Sequence, residues 1–242
     1  CLVGSEMCIR DSQLADVWSK YMPSDRYDCG NIDFCNDGDK LHSIKTLEDF
    51  MSEKILLIDG HSILNRAFYG LPDLTNSEGK HTGAVYGFLN ILLRTIEEEK
   101  PQYLTVAFDL KALTFRHKMF EAYKGTRKPM PEELREQVPL IKEMLTAMGV
   151  NVVTKEGYEA DDILGTLARK SEAAGMDATI LSGDRDLLQL ATDKVMIRLP
   201  KTVRGKTTIE DYHAQQVIEK YQVTPPQIIE LKALMGDSAD NI

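Results

Sequence analysis

The sequence predicts an α/β domain with a mainly parallel central sheet flanked by helices. From residue 54 onward, short apolar runs alternate with segments of helical period, which is typical of β-α-β units. The first apolar run is hydrophobic at every position, as expected for a strand that is buried on both faces of a parallel sheet. No internal repeat is apparent, and 242 residues are enough for one large domain or two small ones.

Composition and charge limit the classes of protein to consider. Hydrophobic residues make up 43% of the chain and charged residues 28%, as in ordinary soluble domains. No run approaches the ~18 apolar residues of a membrane helix and no signal peptide is visible, so we expect a cytoplasmic protein without a membrane partner. The net charge of -9 argues against a uniformly basic protein, but it leaves room for a local basic strip that binds phosphates.

Residues 1–50 differ from the rest of the chain and are predicted to lie outside the folded domain. They lack a clear period, and Cys1–Ser12 resembles translated adapter sequence, so the segment is either a natural extension or an artefact. All four cysteines fall here without a paired C-x-x-C spacing, which argues against a zinc site. We therefore place the domain at residues 51–242.

The first half of the domain is predicted to begin with strand Ile55–Ile58, which a short helix over Ile63–Phe68 follows. Apolar residues at helical spacing predict a longer helix over Gly83–Glu99, which ends before Pro101. The second strand covers Tyr103–Phe108. Each of these two strands leads directly into an aspartate.

A basic segment, Lys111–Met130, interrupts this alternation. It has six basic residues against the single acid Glu121, and three aromatic residues are interleaved with them. The segment is either a solvated charged connection or a mobile helix whose side chains bind a polyanion. Its basic residues are Lys111, Arg116, Lys118, Lys124, Arg127 and Lys128, and its aromatic residues are Phe115, Phe120 and Tyr123.

The second half is predicted to begin with a helix that has Pro131 at its first position and continues to Met148, with Gly149 as its cap. Strand Asn151–Thr154 then leads into an acidic helix. Strand Ala178–Leu181 follows that helix and ends next to another acidic cluster.

The C-terminal part is predicted to contain edge strand Val195–Leu199, a polar hairpin turn over Lys201–Lys206 and two helices. The helices cover Asp211–Tyr221 and Pro225–Met235, with Thr224 as the cap of the second. These elements complete the alternation from which the fold class is predicted.

Three carboxylates stand within four positions at the start of the acidic helix, namely Glu159, Asp161 and Asp162. A helix N-terminus stabilises negative charge by only about 0.3–1 kcal/mol per group, which does not readily offset the repulsion among three acids. The turn is therefore either an acidic, solvated helix start or a divalent-cation site. The choice depends on whether carboxylates from other parts of the chain converge there.

Further carboxylates are expected at the same edge of the sheet. Asp59, Asp109 and Asp184 each follow a predicted parallel strand, and α/β sheets bind ligands at the carboxyl ends of their strands. A single aspartate there is usually a helix cap, but four acidic clusters at one edge would repel one another. We therefore predict an all-oxygen site for Mg²⁺ or Mn²⁺, and two such ions ~3.5–4 Å apart are an established device for cutting phosphodiesters. The remaining acids of these clusters are Asp186, Asp237 and Asp240.

Six short motifs occur in an order and at a spacing that resemble those of the 5′ nuclease, or flap endonuclease, superfamily. Within it the sequence is most similar to the N-terminal 5′→3′ exonuclease domains of the bacterial DNA polymerase I family, and the resemblance covers Lys54–Ile242. Each motif alone is weak, whereas the six together are specific. They are Ile-Leu-Leu-Ile-Asp-Gly (55–60), Ala-Phe-Asp (107–109), Tyr-Lys-Gly-Thr-Arg (123–127), Gly-Tyr-Glu-Ala-Asp-Asp (157–162), Gly-Asp-Arg-Asp (183–186) and Gly-Asp-Ser-Ala-Asp-Asn (236–241).

The resemblance implies two metal ions held by the acidic clusters. The implied ligands of the first ion are Asp59, Asp109, Glu159 and Asp161. The implied ligands of the second are Asp184, Asp186 and Asp237, with Asp161 near both ions and with Asp162 and Asp240 acting through water.

The resemblance also assigns roles to the basic segment, which the family uses as an arch. Lys124 and Arg127 would contact the scissile phosphate, with Tyr123 as the neighbouring aromatic residue. Arg116 and Lys128 would contact DNA. The implied catalytic residues are therefore Lys124 and Arg127 of the arch, together with Asp161.

The function implied by the resemblance is structure-specific hydrolysis of DNA at 5′ flaps or 5′ ends, and of RNA primers, in replication and repair. The implied fold is a PIN-like core, and the family continues past the position of Ile242 into a helix–hairpin–helix element and, in the polymerase, a linked polymerase domain. The chain is then expected to be a truncated fragment with weak activity. The alternatives are a stand-alone 5′ nuclease and a catalytically weak DNA-binding fragment.

Other classes fit the sequence less well. A haloacid-dehalogenase-type phosphatase needs a second acid two residues after the aspartate of the first strand, where this chain has His61. A Rossmann-type nucleotide binder needs a G-x-G-x-x-G motif after that strand, and none is present. A nucleic-acid-binding module without catalysis would gain nothing from so many acids, because they repel phosphates.

Overall fold

The computed structural model describes residues 53–203, 206–237 and 240–241. The predicted leader and its boundary at Met51 lie outside these residues. The first elements are β1 (Lys54–Asp59), α1 (Gly60–Gly70), α2 (Gly83–Glu99) and β2 (Tyr103–Ala107). All four were predicted at these places, and α1 begins three residues earlier than its apolar pattern indicated.

The basic segment is largely turns and contains one short helix, α3 (Phe115–Met119). Two helices then follow where one was predicted, α4 (Glu132–Arg135) and α5 (Gln137–Ala147). The prediction that Pro131 is the first helical residue is wrong, because its ψ of 147° is extended and it precedes the helix. Gly149 has a φ of +75°, in agreement with its predicted place after the helix end.

The next elements alternate as predicted. They are β3 (Asn151–Val153), α6 (Ala160–Ala173) and β4 (Asp177–Leu181), and a 3₁₀ helix (Arg185–Leu190) follows them. Glu159 is the N-cap of α6, so the acidic cluster opens this helix as the sequence predicted.

The C-terminal part differs most from the prediction. It contains β5 (Val195–Val203), β6 (Lys206–Tyr212), α7 (Ala214–Tyr221), a 3₁₀ turn (Pro225–Gln227) and α8 (Ile228–Met235). The capping box of Thr224 precedes the 3₁₀ turn, and α8 continues from it. The hairpin turn was predicted over Lys201–Lys206, but the strands extend into this range, since β5 ends at Val203 and β6 begins at Lys206. The two residues between the strands lie outside the described ranges.

Two predictions in this part are wrong. The strand that begins at Val195 is not at the edge, because β6 pairs with it antiparallel and takes the edge position. Asp211 and Tyr212 are the last residues of β6 and not the first of a helix. Arg198 on β5 holds Asp211 directly opposite it through two hydrogen bonds of 2.8 and 2.9 Å, and a pairing between strands leaves no periodic signal in the sequence.

The six strands form one sheet in the order β3-β2-β1-β4-β5-β6, with all pairs parallel except the last. Alternate residues of β1 serve two cores. Ile55 and Leu57 pack with α6 on one face, and Leu56 and Ile58 pack with α1, α2 and α5 on the other. Burial of both faces is the reason that β1 is apolar without alternation.

The order in which strands are added to the sheet reverses at β1, because β2 and β3 lie on one side of it and β4 and β5 lie on the other. In open α/β sheets this reversal opens a crevice at the carboxyl ends of the strands. Asp59 ends β1 at that crevice. No helix within the described ranges is both long enough and apolar enough to cross a membrane.

Candidate metal centre and nucleic-acid interface

A cavity of about 310 Å³ lies at this crevice, and we call it the acidic cavity. Seven carboxylates line it, and they come from the ends of β1, β2 and β4, from the start of α6 and from the C-terminal segment. They are Asp59, Asp109, Glu159, Asp161, Asp184, Asp186 and Asp240. Of the predicted metal ligands, Asp162 and Asp237 do not line it. Of the predicted arch residues, Arg116, Tyr123, Lys124 and Arg127 line it, and Lys128 does not.

Asp59 has both a structural role and a place in the cavity. It caps α1 by accepting a hydrogen bond of 3.0 Å from the Ser62 N–H, and it accepts a second of 2.8 Å from the Ser182 hydroxyl. Burial raises the pKa of Asp59 to about 6, the charges of Asp109 and Asp184 add to this, and the two hydrogen bonds oppose it. Asp59 is therefore a helix cap, as is usual for a single aspartate after a strand, and it is also available as a candidate metal ligand in the cavity.

Asp109 is fixed by the helix that bears the other acids. It accepts a hydrogen bond of 2.7 Å from the Ala160 N–H at the start of α6. His61 Nδ1 lies 3.2 Å from the Asp109 backbone N and 3.4 Å from Asp109 Oδ2, and it can donate to this carboxylate when it carries the proton. Burial by itself would raise the pKa of Asp109, but His61 and the Ala160 N–H lower it below its ordinary value.

Asp162, the last acid of the cluster on α6, is held by Arg116. Asp162 accepts two hydrogen bonds from the Arg116 guanidinium, at 2.7 and 2.8 Å, and a third of 3.0 Å from the Glu159 N–H. Its side chain is fully buried, and that of Arg116 is only 12% exposed. Asp162 thus anchors α3 to α6. Arg116, for which the family resemblance implied a contact with a phosphate, is held by this carboxylate in the structure.

Glu159 is the point at which the basic segment reaches the acidic cluster. It accepts hydrogen bonds from the Lys124 ammonium at 2.8 Å and from the Tyr123 hydroxyl at 3.1 Å. Burial and the charge of Glu159 raise the pKa of Tyr123, so the hydroxyl stays protonated and donates. The Lys124 N–H also donates to the Asp240 carbonyl at 3.0 Å, which ties this turn to the C-terminal segment.

Asp161 differs from its neighbours because its Oδ1 is buried and accepts no hydrogen bond from the described residues. Burial raises its pKa well above the ordinary value, and the charges of Asp59, Asp184 and Asp109 raise it further. An unpartnered buried carboxylate oxygen among other carboxylates is the chemistry that a bound cation relieves.

The second acidic cluster is held by a lysine that the sequence analysis did not select. Lys232 on α8 places its ammonium 2.8 Å from Asp186 and 3.0 Å from Asp237. Asp184 accepts the Asp186 N–H at 2.8 Å and caps the 3₁₀ helix, and burial raises its pKa, with the Asp186 charge adding to this. Arg127 forms an ion pair with Asp240, and both residues line the cavity.

The carboxylates surround the cavity without closing on one point. Among the described residues, no three histidine, cysteine, aspartate or glutamate side chains form a ready-made metal cluster. Most of the acids are held apart because they accept hydrogen bonds from backbone N–H groups or form ion pairs with lysine and arginine side chains. The donor set consists of carboxylate oxygens, which fits a hard divalent cation, and Asp161 provides an oxygen with no competing donor.

A second cavity, of about 750 Å³, lies beside the first, and we call it the basic groove. His61, Asn65, Asp109 and Arg127 line both cavities. The predicted DNA-binding residue Lys128 lies in this groove and not in the acidic cavity.

Sequence reasoning missed several residues that shape the site. His61 was used only to exclude a phosphatase, although its place two residues after Asp59 is a signal that it reaches the same edge. Ser182 follows β4 directly and could have been found in the same way. Lys232 gave no signal, because its contacts with Asp186 and Asp237 depend on how α8 packs.

Comparisons with known proteins agree with this architecture. A family model described as "5′-3′ exonuclease, N-terminal resolvase-like domain" matches residues 54–222. DNA polymerase I of Bacillus subtilis is 50% identical over 190 residues, which are 78% of this chain and 21% of that protein. DNA polymerase I of Bacillus caldotenax is 50% identical over 192 residues, 79% of this chain and 22% of that protein. The chain thus spans about a fifth of the length of these relatives.

Solved structures give the same picture. A structure of T5 5′-exonuclease with bound zinc ions has a TM-score of 0.61 at 25% identity, covering 78% of this chain and 69% of that one. A structure of the bacteriophage T5 D15 flap endonuclease variant D155K in a pseudo-enzyme-product complex with DNA and metal ions has the same TM-score, identity and coverage.

Proposed function

The chain belongs to the family of 5′-3′ exonuclease N-terminal resolvase-like domains, and we propose that it hydrolyses phosphodiester bonds at the 5′ ends or 5′ flaps of DNA with the help of divalent cations. The observation that carries this proposal is the convergence of seven carboxylates on one cavity, with an unpartnered Asp161 oxygen inside it and Lys124 and Arg127 at its rim. Relatives that contain bound metal ions or DNA support it.

The cations in this proposal are two ions of Mg²⁺ or Mn²⁺. Their ligand sets are those that the family resemblance implies, with Asp161 between the two groups. When bound, such ions lower the pKa of an attacking water and stabilise charge on the phosphate and the leaving oxygen. Replication and repair, RNA primers as further substrates, a linked polymerase domain and a cytoplasmic location are proposed from the similarity to DNA polymerase I.

The protein's own residues have distinct roles in the proposed reaction. Lys124 leaves Glu159 and contacts the scissile phosphate, and Arg127 does the same from Asp240, so each cation exchanges a carboxylate partner for a phosphate. This exchange frees Glu159 to serve as a ligand. Asp162 keeps Arg116 in place throughout, and His61 and the Ala160 N–H hold Asp109 in its ionised form.

Substitution of Asp161 is the most direct test. Asp161→Ala should abolish cleavage of a 5′-flap substrate in Mg²⁺ while binding of the same substrate in Ca²⁺ stays largely intact. The matched control is Asp193→Ala, because Asp193 is an exposed aspartate outside the acidic cavity. Turnover by Asp161→Ala at a rate near that of the unaltered chain would contradict the metal assignment. Binding without cleavage by the unaltered chain in Mg²⁺ and in Mn²⁺ would favour a DNA-binding module.

A further inference from the structure

The Ser182 hydroxyl connects two of the strand ends that bring carboxylates to the acidic cavity. Ser182 directly follows β4, is fully buried and does not line the cavity itself. Its hydroxyl donates a hydrogen bond of 2.8 Å to Asp59 Oδ2 and accepts one of 3.0 Å from the Asp184 N–H. Asp59 belongs to the ligands that the family resemblance implies for the first ion, and Asp184 belongs to those implied for the second.

The direction of both hydrogen bonds is fixed by the groups that form them. A backbone N–H can only donate, and an ionised carboxylate can only accept. The hydroxyl has a single proton, so it accepts from Asp184 with a lone pair and donates this proton to Asp59. The backbone N–H of Ser182 donates to the Arg198 carbonyl on β5 at 3.3 Å. The hydroxyl therefore cannot turn away from Asp59 without leaving a buried donor unpaired.

A second serine fastens the same two strand ends, which belong to the neighbouring parallel strands β1 and β4. The Gly183 N–H donates to the Ser62 hydroxyl at 2.8 Å, and the Ser62 N–H donates to Asp59 Oδ1 at 3.0 Å. A Cβ at position 183 would lie 2.9 Å from the Ser62 oxygen, so the close approach requires glycine. Each oxygen of Asp59 thus accepts one hydrogen bond, and the two donors together define the plane of its carboxylate.

These two donors leave Asp59 able to bind a cation. A carboxylate has about four lone-pair sites on its two oxygens, so an oxygen that accepts the Ser182 proton can still coordinate a metal ion. Carboxylates that ligate metal ions are themselves hydrogen-bonded, and loss of such a partner typically costs roughly 10- to 100-fold in metal affinity or activity. The contacts of Ser182 are therefore those expected of a residue that orients a ligand.

We propose that Ser182 is a positioning residue, which orients Asp59 toward a bound divalent cation and fixes the separation between the strand ends that carry Asp59 and Asp184. The inference rests on the proposed function. One oxygen atom binds both the Asp59 carboxylate and the Asp184 backbone, so the two strand ends cannot move apart independently. A site for two ions ~3.5–4 Å apart requires such a constant separation between its ligand groups.

The test measures Mn²⁺ binding to the complete chain without substrate, from the electron paramagnetic resonance signal of the free ion. Ser182→Ala should weaken Mn²⁺ binding roughly 10- to 100-fold. The matched control is Ser171→Ala, because Ser171 is equally buried and its hydroxyl donates to the Leu167 carbonyl within α6 at 2.9 Å, outside the acidic cavity. Cleavage of a 5′-flap substrate by Ser182→Ala should need a correspondingly higher Mg²⁺ concentration, while the rate at saturating Mg²⁺ changes far less.

Denaturant unfolding shows separately whether the variants are folded. If Ser182→Ala does not fold, Ser182→Cys takes its place, since a thiol fills the buried position but donates only a weak hydrogen bond. A thiol is also a poor ligand for a hard cation such as Mn²⁺. Ser182→Cys should therefore bind Mn²⁺ more weakly than the unaltered chain.

The outcomes separate this inference from the proposed function. The inference is overturned if the unaltered chain binds no Mn²⁺, or if neither Ser182 variant folds, because Ser182 would then serve the fold alone. Cleavage by a chain whose folded Ser182 variant binds Mn²⁺ as tightly as Ser171→Ala would overturn the inference and support the nuclease. Weakened Mn²⁺ binding by the Ser182 variant, in a chain that cleaves nothing in Mg²⁺ or Mn²⁺, would support the positioning role and refute the nuclease.

Discussion

The acidic cavity and the basic groove share a rim but are built in opposite ways. Most carboxylates of the cavity follow strand ends or open a helix, and most are held by backbone N–H groups or by paired cations. Lys111 and Lys128 of the groove lie on loops, exposed and without such partners in the described chain. Charge that must be precisely located is placed on the ends of strands and helices, whereas the groove carries exposed charge on loops.

This difference has an energetic consequence. Groups in the acidic cavity were brought together against their mutual repulsion, as the raised pKa values of Asp59, Asp161 and Asp184 indicate. Changes there should alter stability as well as activity. Changes in the groove should alter binding alone, because exposed side chains contribute little to folding.

The largest expected effect is on catalysis by Lys124. Lys124→Met keeps the length of the side chain and removes the charge proposed to act on the phosphate, so single-turnover cleavage in Mg²⁺ should fall by about 10²–10³. The dissociation constant in Ca²⁺ should change far less. Lys118→Met is the control, since Lys118 is an exposed lysine of α3 outside both cavities. An equal loss of cleavage and of affinity would show that Lys124 only holds the substrate.

The next effect is on stability and concerns the anchor between α3 and α6. Arg116→Met leaves the buried Asp162 carboxylate without its charged partner and should lower the free energy of unfolding by about 3 kcal/mol. Adding Asp162→Asn should restore much of that loss, because the amide needs no counter-charge. Denaturant unfolding of both variants measures this. A double variant as unstable as Arg116→Met would mean that packing, rather than charge, makes the anchor.

The smallest effect should be a gain. Asp161→Asn removes a carboxylate that is unpartnered and repelled, so the metal-free protein should become more stable by about 1–3 kcal/mol. Because the fold raises this pKa above 3.8, ionisation costs stability only as pH rises past that value, and the gain should grow as the pH is raised from there. Thermal unfolding in a chelator at several pH values measures it. Tyr69 is exposed and lines the basic groove, so Tyr69→Ala should show no such trend, and a gain of equal size there would remove the contrast between the cavity and the groove.

Much of the fold was predictable because its signals are local. The uninterrupted apolar run Ile55–Ile58, the helical spacing in Gly83–Glu99 and the acids at the start of α6 each lie within one element. Position at the carboxyl end of a strand then placed Asp59 and Asp109 at one edge. The edge strand was wrongly assigned because β5 pairs with β6. The periodicity of apolar residues within a strand or a helix does not show which other segment that element pairs with.

By itself, the sequence determined the fold class and most of the carboxylates that line the acidic cavity, because strands, helices and the residues that follow strand ends leave local patterns in the sequence. Only the tertiary structure decided which of those acids remain available. Asp161 and Asp162 are adjacent, but on a helix they point about 100° apart, and Arg116 from a distant segment occupies one while the other is left without a donor in the described chain. The same holds for Lys232 and Asp186, because an ion pair depends on where two elements pack and not on the sequence of either.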